Sequence, residues 1–250
     1  MTTPVSVPEG MPGVTELAAI RGARILVLGA TGAVGSVVVE SCLALGAEVI
    51  ASARTRTRLD ELRANLGQHD RLEVAECDAT DPAGVEALFA AVSRKREVSN
   101  IVHCIGGFQF GPIKELETDA AQRLIDLNLV SALWVLRAAL RRMPARLRAV
   151  VITGARATTP EANFALYGAA KAAVTHLVEA VAQEAMSVGG RVNAILPGVI
   201  DTPTNRRAMP DADPEGWVSP LRIAKAVVWL LTDAADGLNG AHLRMPDSGA

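Results

Sequence analysis

The sequence has few aromatic residues, little net charge and no long apolar run, and each shortage argues against a class of function. Aromatic side chains make up 3% of the chain, with a single tyrosine, which argues against stacking platforms for single-stranded nucleic acid. Lys and Arg number 25 against 27 Asp and Glu, so the formal net charge of -2 gives no general attraction to nucleic acid or anionic lipid. No apolar stretch approaches the roughly 18 uncharged residues of a membrane span. We therefore expect neither nucleic-acid nor membrane partners.

Cysteine is also scarce and scattered. Cys42, Cys77 and Cys104 stand far apart and form no C-x-x-C motif, and the four histidines show no metal-ligand spacing. The sequence therefore predicts reduced thiols and no metal site. The opening residues, MTTPVSVPEGMPG, have neither a basic region nor an apolar core, so they do not resemble a secretory signal and we expect a cytoplasmic protein.

Apolar residues, by contrast, make up 50% of the chain, enough for a substantial core. Residues 1–22 are rich in proline and predict a flexible tail, with one helical turn over residues 14–20. After it, short apolar runs alternate with amphipathic stretches, which predict strands and helices in turn. The predicted strands are residues 24–28, 48–53, 72–75, 100–104, 149–153, 192–196 and 241–245. The predicted helices are residues 33–45, 58–66, 82–92, 119–143, 163–188 and 221–231.

This alternation favours one α/β domain over residues 23–250, since no linker divides the chain. Continuously apolar strands joined by helices predict a doubly wound, seven-stranded parallel sheet with helices on both faces. Residues 201–220 are rich in Pro, Asp and Arg, and we interpret them as a lid over a substrate site. A surface loop pinned by Trp217 is an equally good interpretation.

A glycine-rich turn follows the first predicted strand and opens the first helix. Gly29, Gly32 and Gly35 satisfy G-x-x-G-x-x-G, a pattern that lets backbone N–H groups and a helix N-terminus hold a pyrophosphate. A tight strand-to-helix turn without a ligand is the alternative.

The second predicted strand ends in Arg54-Thr55-Arg56. No carboxylate stands there to bind ribose hydroxyls, whereas Arg54 and Arg56 suit a 2'-phosphate, so the sequence favours NADPH over NADH. A solvated turn is the alternative for these arginines.

The single tyrosine begins a Tyr-x-x-x-Lys motif, Tyr167 to Lys171, at the start of a predicted helix. The spacing projects both side chains from one face of the helix. A nearby ammonium group stabilises phenolate, so we expect Lys171 to lower the pKa of Tyr167 below about 10 and to make it an acid catalyst. A partly buried tyrosine beside a surface lysine is the alternative.

Together these motifs resemble the short-chain dehydrogenase/reductase family from Arg24 to Met245. The resemblance implies a Rossmann-type domain in which Tyr167, Lys171 and Asn128 are catalytic, Asn128 holding a water in a proton relay. It implies that Asp78 bonds the adenine amino group and that Ile200 and Thr202 contact the nicotinamide carboxamide. The cofactor-binding residues it implies are Gly29, Thr31, Gly32, Val34, Gly35, Arg54, Thr55, Asp78, Ala79, Cys104, Ile105, Gly106, Thr153, Tyr167, Lys171, Pro197, Gly198, Ile200 and Thr202.

The catalytic serine of that family is absent. About 13 residues before the tyrosine the chain reads Ile152-Thr153-Gly154-Ala155-Arg156-Ala157, and Thr153 could replace the serine only if the strand exit shifts. Losing such a donor commonly reduces the rate by about 10² to 10³. The pattern resembles the dihydropteridine reductase branch, which manages without the serine, although that branch favours NADH. Candidate substrate residues are Phe108, Ala155, Asn205, Arg206 and Trp217.

The sequence thus predicts an NADPH-dependent reductase that transfers hydride to a ketone, a quinonoid compound or a pterin-like imine. The alternative is a redox-inactive scaffold of the same fold that acts as a binding or regulatory subunit, since fold does not guarantee function. The resemblance also implies a homotetramer or homodimer that packs through the helices predicted at residues 119–143 and 163–188. Leu133, Leu136 and Leu140 on the first of these could equally pack on the sheet.

Overall fold

A computed structural model of the protein describes residues 20–67, 69–142 and 146–247. Residues 1–19 of the predicted tail, including most of its helical turn, lie outside these residues. The described chain begins at Ile20, whose side chain is buried in the core. Close behind it, the Gly22 N–H donates to the Gly46 carbonyl oxygen at 2.9 Å, so the segment that enters the first strand is tied to the turn before the second.

Seven parallel strands form one sheet in the described residues, in the order β3-β2-β1-β4-β5-β6-β7. This confirms the predicted fold class. The strands are β1 (Arg24–Leu28), β2 (Glu48–Ala53), β3 (Leu72–Glu76), β4 (Asn100–His103), β5 (Arg148–Ile152), β6 (Arg191–Pro197) and β7 (His242–Met245).

Helices cover both faces of the sheet. The α-helices described are α1 (Ala33–Ala44), α2 (Arg56–Asn65), α3 (Pro82–Lys95), α4 (Thr118–Ile125), α5 (Ser131–Arg142), α6 (Ala165–Met186), α7 (Pro203–Ala208) and α8 (Pro220–Leu231). Side chains of a strand point alternately to the two faces. In β1, Ile25 and Val27 therefore join the core under α1 and α8, while Leu26 and Leu28 join the core under α3, α5 and α6.

The strand order changes direction at β1, which pairs with β2 on one side and with β4 on the other. In doubly wound sheets the crevice for a ligand opens at this point, beyond the carboxyl ends of the strands. The loops that leave β1 and β4 here carry Gly29 and Gly106. The topology therefore brings the glycine-rich turn and the segment after β4 to the same edge.

The prediction of a single α-helix over residues 119–143 is wrong. A π-helical segment, Asp126–Val130, separates α4 from α5 and contains Asn128. Such segments insert one residue into a helix and occur frequently at functional sites. The predicted lid also contains a helix, α7, that its composition did not indicate. Its N-cap is Thr202, whose hydroxyl oxygen accepts from the Asn205 N–H at 3.1 Å.

Two buried arginines tie helix ends and turns to the sheet. Arg24 donates to the carbonyl oxygens of Val92 and Arg96 at 2.6 and 2.7 Å. Arg191 donates to four carbonyl oxygens after α8 and near its end, those of Leu230, Thr232, Ala235 and Leu238. Cations suit these positions because the carbonyl groups at a helix C-terminus lack partners and carry partial negative charge.

Candidate active site

The glycine-rich turn between β1 and α1 has no room for a Cβ atom at Gly29 or Gly35. Gly29 has a left-handed φ of +76°, and a Cβ atom there would lie 2.9 Å from the carbonyl carbon of Cys104. A Cβ atom on Gly35 would lie 2.2 Å from the Gly29 carbonyl oxygen. Gly32 caps α1 without a side chain, so the first N–H groups of the helix are open to an anionic ligand. These residues fit the pyrophosphate of a dinucleotide.

Acidic and basic side chains meet at the ends of β2 and β3. Thr80 donates to Asp78 Oδ1 from its N–H at 2.9 Å and from its hydroxyl at 2.7 Å. Burial alone would raise the pKa of Asp78, but these hydrogen bonds and the positive charge of Arg54 bring it below its usual range. Arg54 itself is exposed. Asp78 and Arg54 are therefore close to each other, at the edge where the sequence predicted the adenosine end of the cofactor.

The two arginines beyond Arg54 have different surroundings. α2 begins at Arg56, two residues earlier than predicted, so Arg56 Nε donates to both carboxylate oxygens of Asp60 one turn along the helix, at 2.9 and 3.1 Å. Arg58 instead reaches back and donates to the Thr31 carbonyl oxygen at 3.1 Å. Sequence reasoning missed Arg58, although it belongs to the same alternating run of arginines as Arg54 and Arg56. Its guanidinium lies against the glycine-rich turn.

Three groups of the candidate catalytic site converge around Gly154. A Cβ atom on Gly154 would lie 3.4 Å from Tyr167 Oη, 3.9 Å from the Pro197 carbonyl oxygen and 4.0 Å from Lys171 Cε. Lys171 Nζ lies 5.7 Å from the centroid of the Tyr167 ring. Tyr167 and Lys171 project from the first two turns of α6, and Pro197 ends β6. The structure therefore brings both motif residues to the carboxyl edge of the sheet.

Asn128 and Lys171 meet at the loop that follows β4. A Cβ atom on Gly106 would lie 3.0 Å from Lys171 Nζ and 3.1 Å from Asn128 Oδ1. The amide group of Asn128 donates to the carbonyl oxygens of Leu124 and Gly107 at 2.8 and 3.1 Å, and Oδ1 accepts from the Gly107 N–H at 3.3 Å. Asn128 thus clamps this loop to the π-helical segment. Gly106 leaves the space that the two side chains share.

A buried histidine supports the same region from below. His103 ends β4, and its Nε2 lies 3.0 Å from Ser131 Oγ. Because the Ser131 hydroxyl donates to the Leu127 carbonyl oxygen at 2.8 Å, it accepts from His103, which places the ring proton on Nε2. Burial first, and then the nearby charge of Lys171, lower the pKa of His103 to about 3. A neutral imidazole therefore pins the residue that follows the π-helical segment.

Burial shifts the pKa of both motif residues. It lowers the pKa of Lys171 to about 8. It raises the pKa of Tyr167, and the charge of Arg156 opposes this only in part. The expectation of a Tyr167 pKa below 10 was therefore wrong, because burial disfavours the phenolate by more than the charge of Arg156 favours it. Tyr167 is protonated at neutral pH.

Gly154 occupies the position 13 residues before Tyr167 where the serine was expected. Its backbone is extended, with φ of 168° and ψ of 155°, a conformation open to other residues. Thr153 is buried, and its hydroxyl donates to the Ile195 carbonyl oxygen at 3.3 Å. Ala155 begins the 3₁₀ turn Ala155–Ala157. The hydroxyl hydrogen of Thr153 is therefore engaged within the sheet, and no side chain of Gly154 stands beside Tyr167 Oη.

The segment after β6 is tied at both ends. A Cβ atom on Gly198 would lie 2.3 Å from Asp247 Oδ1, the atom that accepts from the Val199 N–H at 2.9 Å. Ile200 and Val218 then form an isolated bridge that closes the base of residues 201–217. The Ile200 carbonyl oxygen accepts from the Asn205 side chain at 2.8 Å. The predicted lid is therefore a closed excursion from β6.

Among the remaining candidate residues, several form contacts within their own segments. Arg206 forms a bidentate ion pair with Asp201 at 2.6 and 2.9 Å. Trp217 is partly buried just before the bridge at Val218. The side chains of Val34 and Ala79 are buried in the core, and Ile105 packs against it. The three candidate lid residues are Asn205, Arg206 and Trp217. In the part of the chain that the structure describes, they do not line the cavity beside Tyr167.

Aromatic rings surround the opening beside Tyr167. The Phe108 ring lies edge-on to Tyr167 with centroids 5.2 Å apart, and Phe110 is edge-on to Phe164 at 5.1 Å. A cavity of about 140 Å³ lies between residues 109–116 and residues 163–167. Asn163 has a left-handed backbone conformation with φ of 67°. Its backbone carbonyl oxygen accepts from the Gly111 N–H at 2.9 Å, which joins these segments. Phe164 was missed, although it stands only three residues before the tyrosine.

Two negative findings concern the described residues alone. They contain no cluster of three His, Cys, Asp or Glu side chains that could hold a metal ion. Their helices include none with the length and apolar character to cross a bilayer.

Comparison with known proteins agrees with this geometry. A family model described as Enoyl-(Acyl carrier protein) reductase matches residues 29–250. The chain is 30% identical to galactitol 2-dehydrogenase of Rhizobium johnstonii, covering 89% of this chain and 93% of that one. It is 27% identical to the 3-oxoacyl-[acyl-carrier-protein] reductase FabG of Salmonella typhimurium, covering 90% and 96%. A short-chain type dehydrogenase/reductase structure from Mycobacterium ulcerans superposes with a TM-score of 0.86 at 26% identity, covering 92% and 90%. The chain therefore belongs to the short-chain dehydrogenase/reductase family of oxidoreductases, which bind a nicotinamide cofactor and act on small molecules.

Proposed function

We propose that this protein is an NADPH-dependent reductase of a small organic molecule whose acceptor is a ketone, a quinonoid carbonyl or a pterin-like imine. The observation that carries the proposal is the convergence of Tyr167 Oη, Lys171 and the open space at Gly154 beyond the sheet edge. The relatives named as a dehydrogenase of galactitol and as a 3-oxoacyl reductase support a carbonyl or alcohol carbon as the reacting centre.

The cofactor residues of the proposal follow the edge of the sheet. Gly29, Gly32 and Gly35 hold the pyrophosphate, Asp78 takes the adenine amino group, and Ile200 and Thr202 take the carboxamide. The nearby backbone of Thr31, Thr55, Cys104, Pro197 and Gly198 completes the site. A bound reduced nicotinamide supplies the hydride.

Tyr167 provides the proton in this proposal. The carbonyl carbon gains a hydride and its oxygen gains the Tyr167 hydroxyl proton, so the C=O double bond becomes an alcohol while the cofactor is oxidised by two electrons. A raised pKa keeps Tyr167 protonated at neutral pH, which suits a proton donor and favours reduction over alcohol oxidation. Lys171 holds the cofactor ribose and, with Asn128, returns a proton to Tyr167 from solvent.

The acceptor is an activated one, because Gly154 provides no hydroxyl group to polarise it. A donor of this kind commonly contributes about 10² to 10³ in rate. A conjugated or electron-poor carbonyl needs less polarisation, since its carbon already accepts hydride readily. We therefore place quinonoid and other activated acceptors ahead of simple ketones.

The preference for NADPH rests on cations near the end of β2. Arg54 is exposed there, Arg58 reaches the Thr31 carbonyl oxygen, and no carboxylate follows the strand within residues 54–58. A guanidinium group can bind a 2'-phosphate in a bidentate manner. Arg56 takes no part in the proposal, because it pairs with Asp60.

The test is a titration of the purified protein with NADPH and, separately, with NADH, followed by nicotinamide fluorescence. We expect saturable binding that is at least tenfold tighter for NADPH, and we expect Arg54→Ala to remove most of that difference. Arg63→Ala is the matched control, since Arg63 is an exposed arginine at the other end of α2. Equal binding of both cofactors would refute the NADPH preference.

A redox-inactive scaffold is the second candidate, favoured by the glycine at position 154. It predicts no binding of either cofactor at millimolar concentration and no reduction of any activated carbonyl. Retention of Tyr167, Lys171 and Asn128 around one space speaks for the enzyme, because a scaffold has no need of them.

We also propose that residues 201–220 cover the substrate and that the protein forms a homodimer or homotetramer through α4, α5 and α6. Leu136 is buried in the core, but Leu133 on α5 and Met186 on α6 remain exposed. Light scattering after size exclusion gives the number of subunits directly, and a monomer would refute the second proposal.

A further inference from the structure

Four of the five phenylalanine and tyrosine residues of this chain lie together beside the candidate active site. We call Phe108, Phe110, Phe164 and Tyr167 the aromatic cluster. Besides the two edge-on pairs, Phe164 lies 6.0 Å from Phe108 and 6.5 Å from Tyr167 between ring centroids. The fifth ring, Phe89, is buried in the core. With its three tryptophans the chain has eight aromatic side chains, and half of them lie in this cluster.

The aromatic cluster is exposed in a way that core packing does not explain. Phe108 is 58% exposed, Phe110 is 60% exposed, and the neighbouring Ile113 is 69% exposed. Grouped exposed apolar side chains typically mark a binding site, because an isolated fold gains nothing from leaving them in water. The rings form a wall that faces an opening.

The cavity beside this wall suits an aromatic ring in size. Its volume is about 140 Å³, and an engineered apolar cavity of about 150 Å³ binds benzene. Leu116, Leu124 and Phe164 provide apolar lining, Gln109, Glu115 and Asn163 provide polar lining, and Tyr167 also lines the cavity. A ring held here therefore lies beside the residue that is proposed to donate the proton.

The charges around the aromatic cluster favour an uncharged ring. Arg156 stacks over Phe164, with its guanidinium carbon 4.7 Å from the ring centroid. The same guanidinium group forms an ion pair with Glu161, so its charge is partly balanced. Glu115 lines the cavity and would repel a carboxylate. These neighbours disfavour an anionic substrate.

We propose that the aromatic cluster binds the aromatic ring of the hydride acceptor, so that the substrate is an uncharged ketone or quinone with its carbonyl attached to that ring. This inference rests on the proposed function. Edge-to-face contacts with Phe108 and Phe164 then hold the ring. The carbonyl carbon accepts the hydride, and the carbonyl oxygen accepts the Tyr167 proton. Each such ring contact improves binding by roughly two- to tenfold.

The first experiment compares two activated ketones that differ only in the ring, phenyl trifluoromethyl ketone and cyclohexyl trifluoromethyl ketone. With NADPH, we expect the phenyl compound to have a KM at least tenfold lower. Phe108→Leu and Phe164→Leu keep an apolar side chain but remove the ring, and each should raise that KM about three- to tenfold with kcat little changed. Trp134→Leu, which removes a partly buried ring on α5, is the matched control.

The second experiment needs neither cofactor nor turnover. Naphthol, which has a ring but no carbonyl, is titrated against the protein by its own fluorescence. We expect saturable binding that weakens about three- to tenfold in Phe108→Leu and Phe164→Leu and is unchanged in Trp134→Leu. Thermal unfolding of each variant establishes that it is folded.

The outcomes separate this inference from the function on which it rests. If naphthol binds both phenylalanine variants as well as the wild type, or if the cyclohexyl ketone has the lower KM, the inference is overturned. If neither ketone is reduced and NADPH does not bind, the proposed function fails, while ring-dependent binding of naphthol would still support a ring-binding site in the aromatic cluster.

Discussion

Serine at position 154 would add a hydroxyl group beside Tyr167 without straining the backbone. Gly154 is extended, and its substituted Cβ atom would lie 3.4 Å from Tyr167 Oη and 4.0 Å from Lys171 Cε, which are ordinary contact distances. The hydroxyl group of Gly154→Ser then stands within hydrogen-bond reach of an oxygen held by Tyr167, about 2.7 Å for such a pair. Both groups would donate to the same carbonyl oxygen.

The expected increase in kcat follows from what a hydrogen-bond donor contributes in the oxyanion sites of other enzymes. Removing one donor from an oxyanion site costs about 10² to 10³ in kcat, or about 2.7–4 kcal/mol. A donor added to a site not adapted to it recovers part of this, so we expect kcat for a simple aliphatic ketone to rise by about tenfold or more. An electron-poor trifluoromethyl ketone should respond much less, because its carbonyl is already polarised.

The control is Gly154→Ala, which adds the same Cβ atom without the hydroxyl group. Both variants restrict the unfolded chain, so both should raise the free energy of unfolding by about 0.4–1 kcal/mol if the site accepts them. Steady-state kinetics with the two ketones and thermal unfolding of both variants complete the assay. Equal effects of serine and alanine on kcat would refute the reasoning, since they would show that the hydroxyl group does not reach the reacting oxygen.

Three further predictions concern folding and the cofactor site. Gly35→Ala forces a Cβ atom to within 2.2 Å of the Gly29 carbonyl oxygen, and we expect thermal unfolding to show a loss of roughly 3 kcal/mol and cofactor titration to show weaker binding. Lys171→Met should stabilise the fold at pH 7 by up to about 3 kcal/mol, because burial lowers the pKa of Lys171 from 10.5 to about 8. The unfolded chain binds the extra proton above pH 8, so this advantage should shrink as pH rises from 8 to 10.5 in urea titrations, and a constant advantage would contradict it. Arg191→Met leaves buried carbonyl oxygens without donors and should destabilise the protein by about 3 kcal/mol, whereas Arg222→Met, at an exposed position of α8, should change urea unfolding by less than about 0.5 kcal/mol.

The strands and the glycine-rich turn could be predicted from the sequence because their signals are local. Each strand is a short apolar run, and the turn joins two such signals, a strand end and a helix start. The Tyr167 and Lys171 pair was equally accessible, since i, i+4 spacing within one helix places two side chains on one face.

Contacts between distant segments could not be predicted in this way. Arg58 reaches Thr31 across 27 residues, and Phe164 meets Phe108 from another loop. The pKa of Tyr167 depends on burial, which the whole fold determines, so the single charge that the spacing placed nearby was a poor guide to its direction. Sequence shows that Gly154 lacks a side chain, but only the structure shows that Tyr167 Oη faces the space it leaves.

The π-helical segment determines how far α5 is rotated about its axis relative to α4. Each residue of an α-helix turns the chain by about 100°, so one inserted residue rotates α5 by roughly a quarter turn relative to α4. With this offset, Leu124 on α4 lines the cavity while Val135 and Leu136 on α5 enter the core. Deleting one residue between 126 and 130 would restore a regular helix and swing the apolar stripe of α5 away from the sheet. Apart from Asn128, this stretch can therefore vary in composition far more easily than in length.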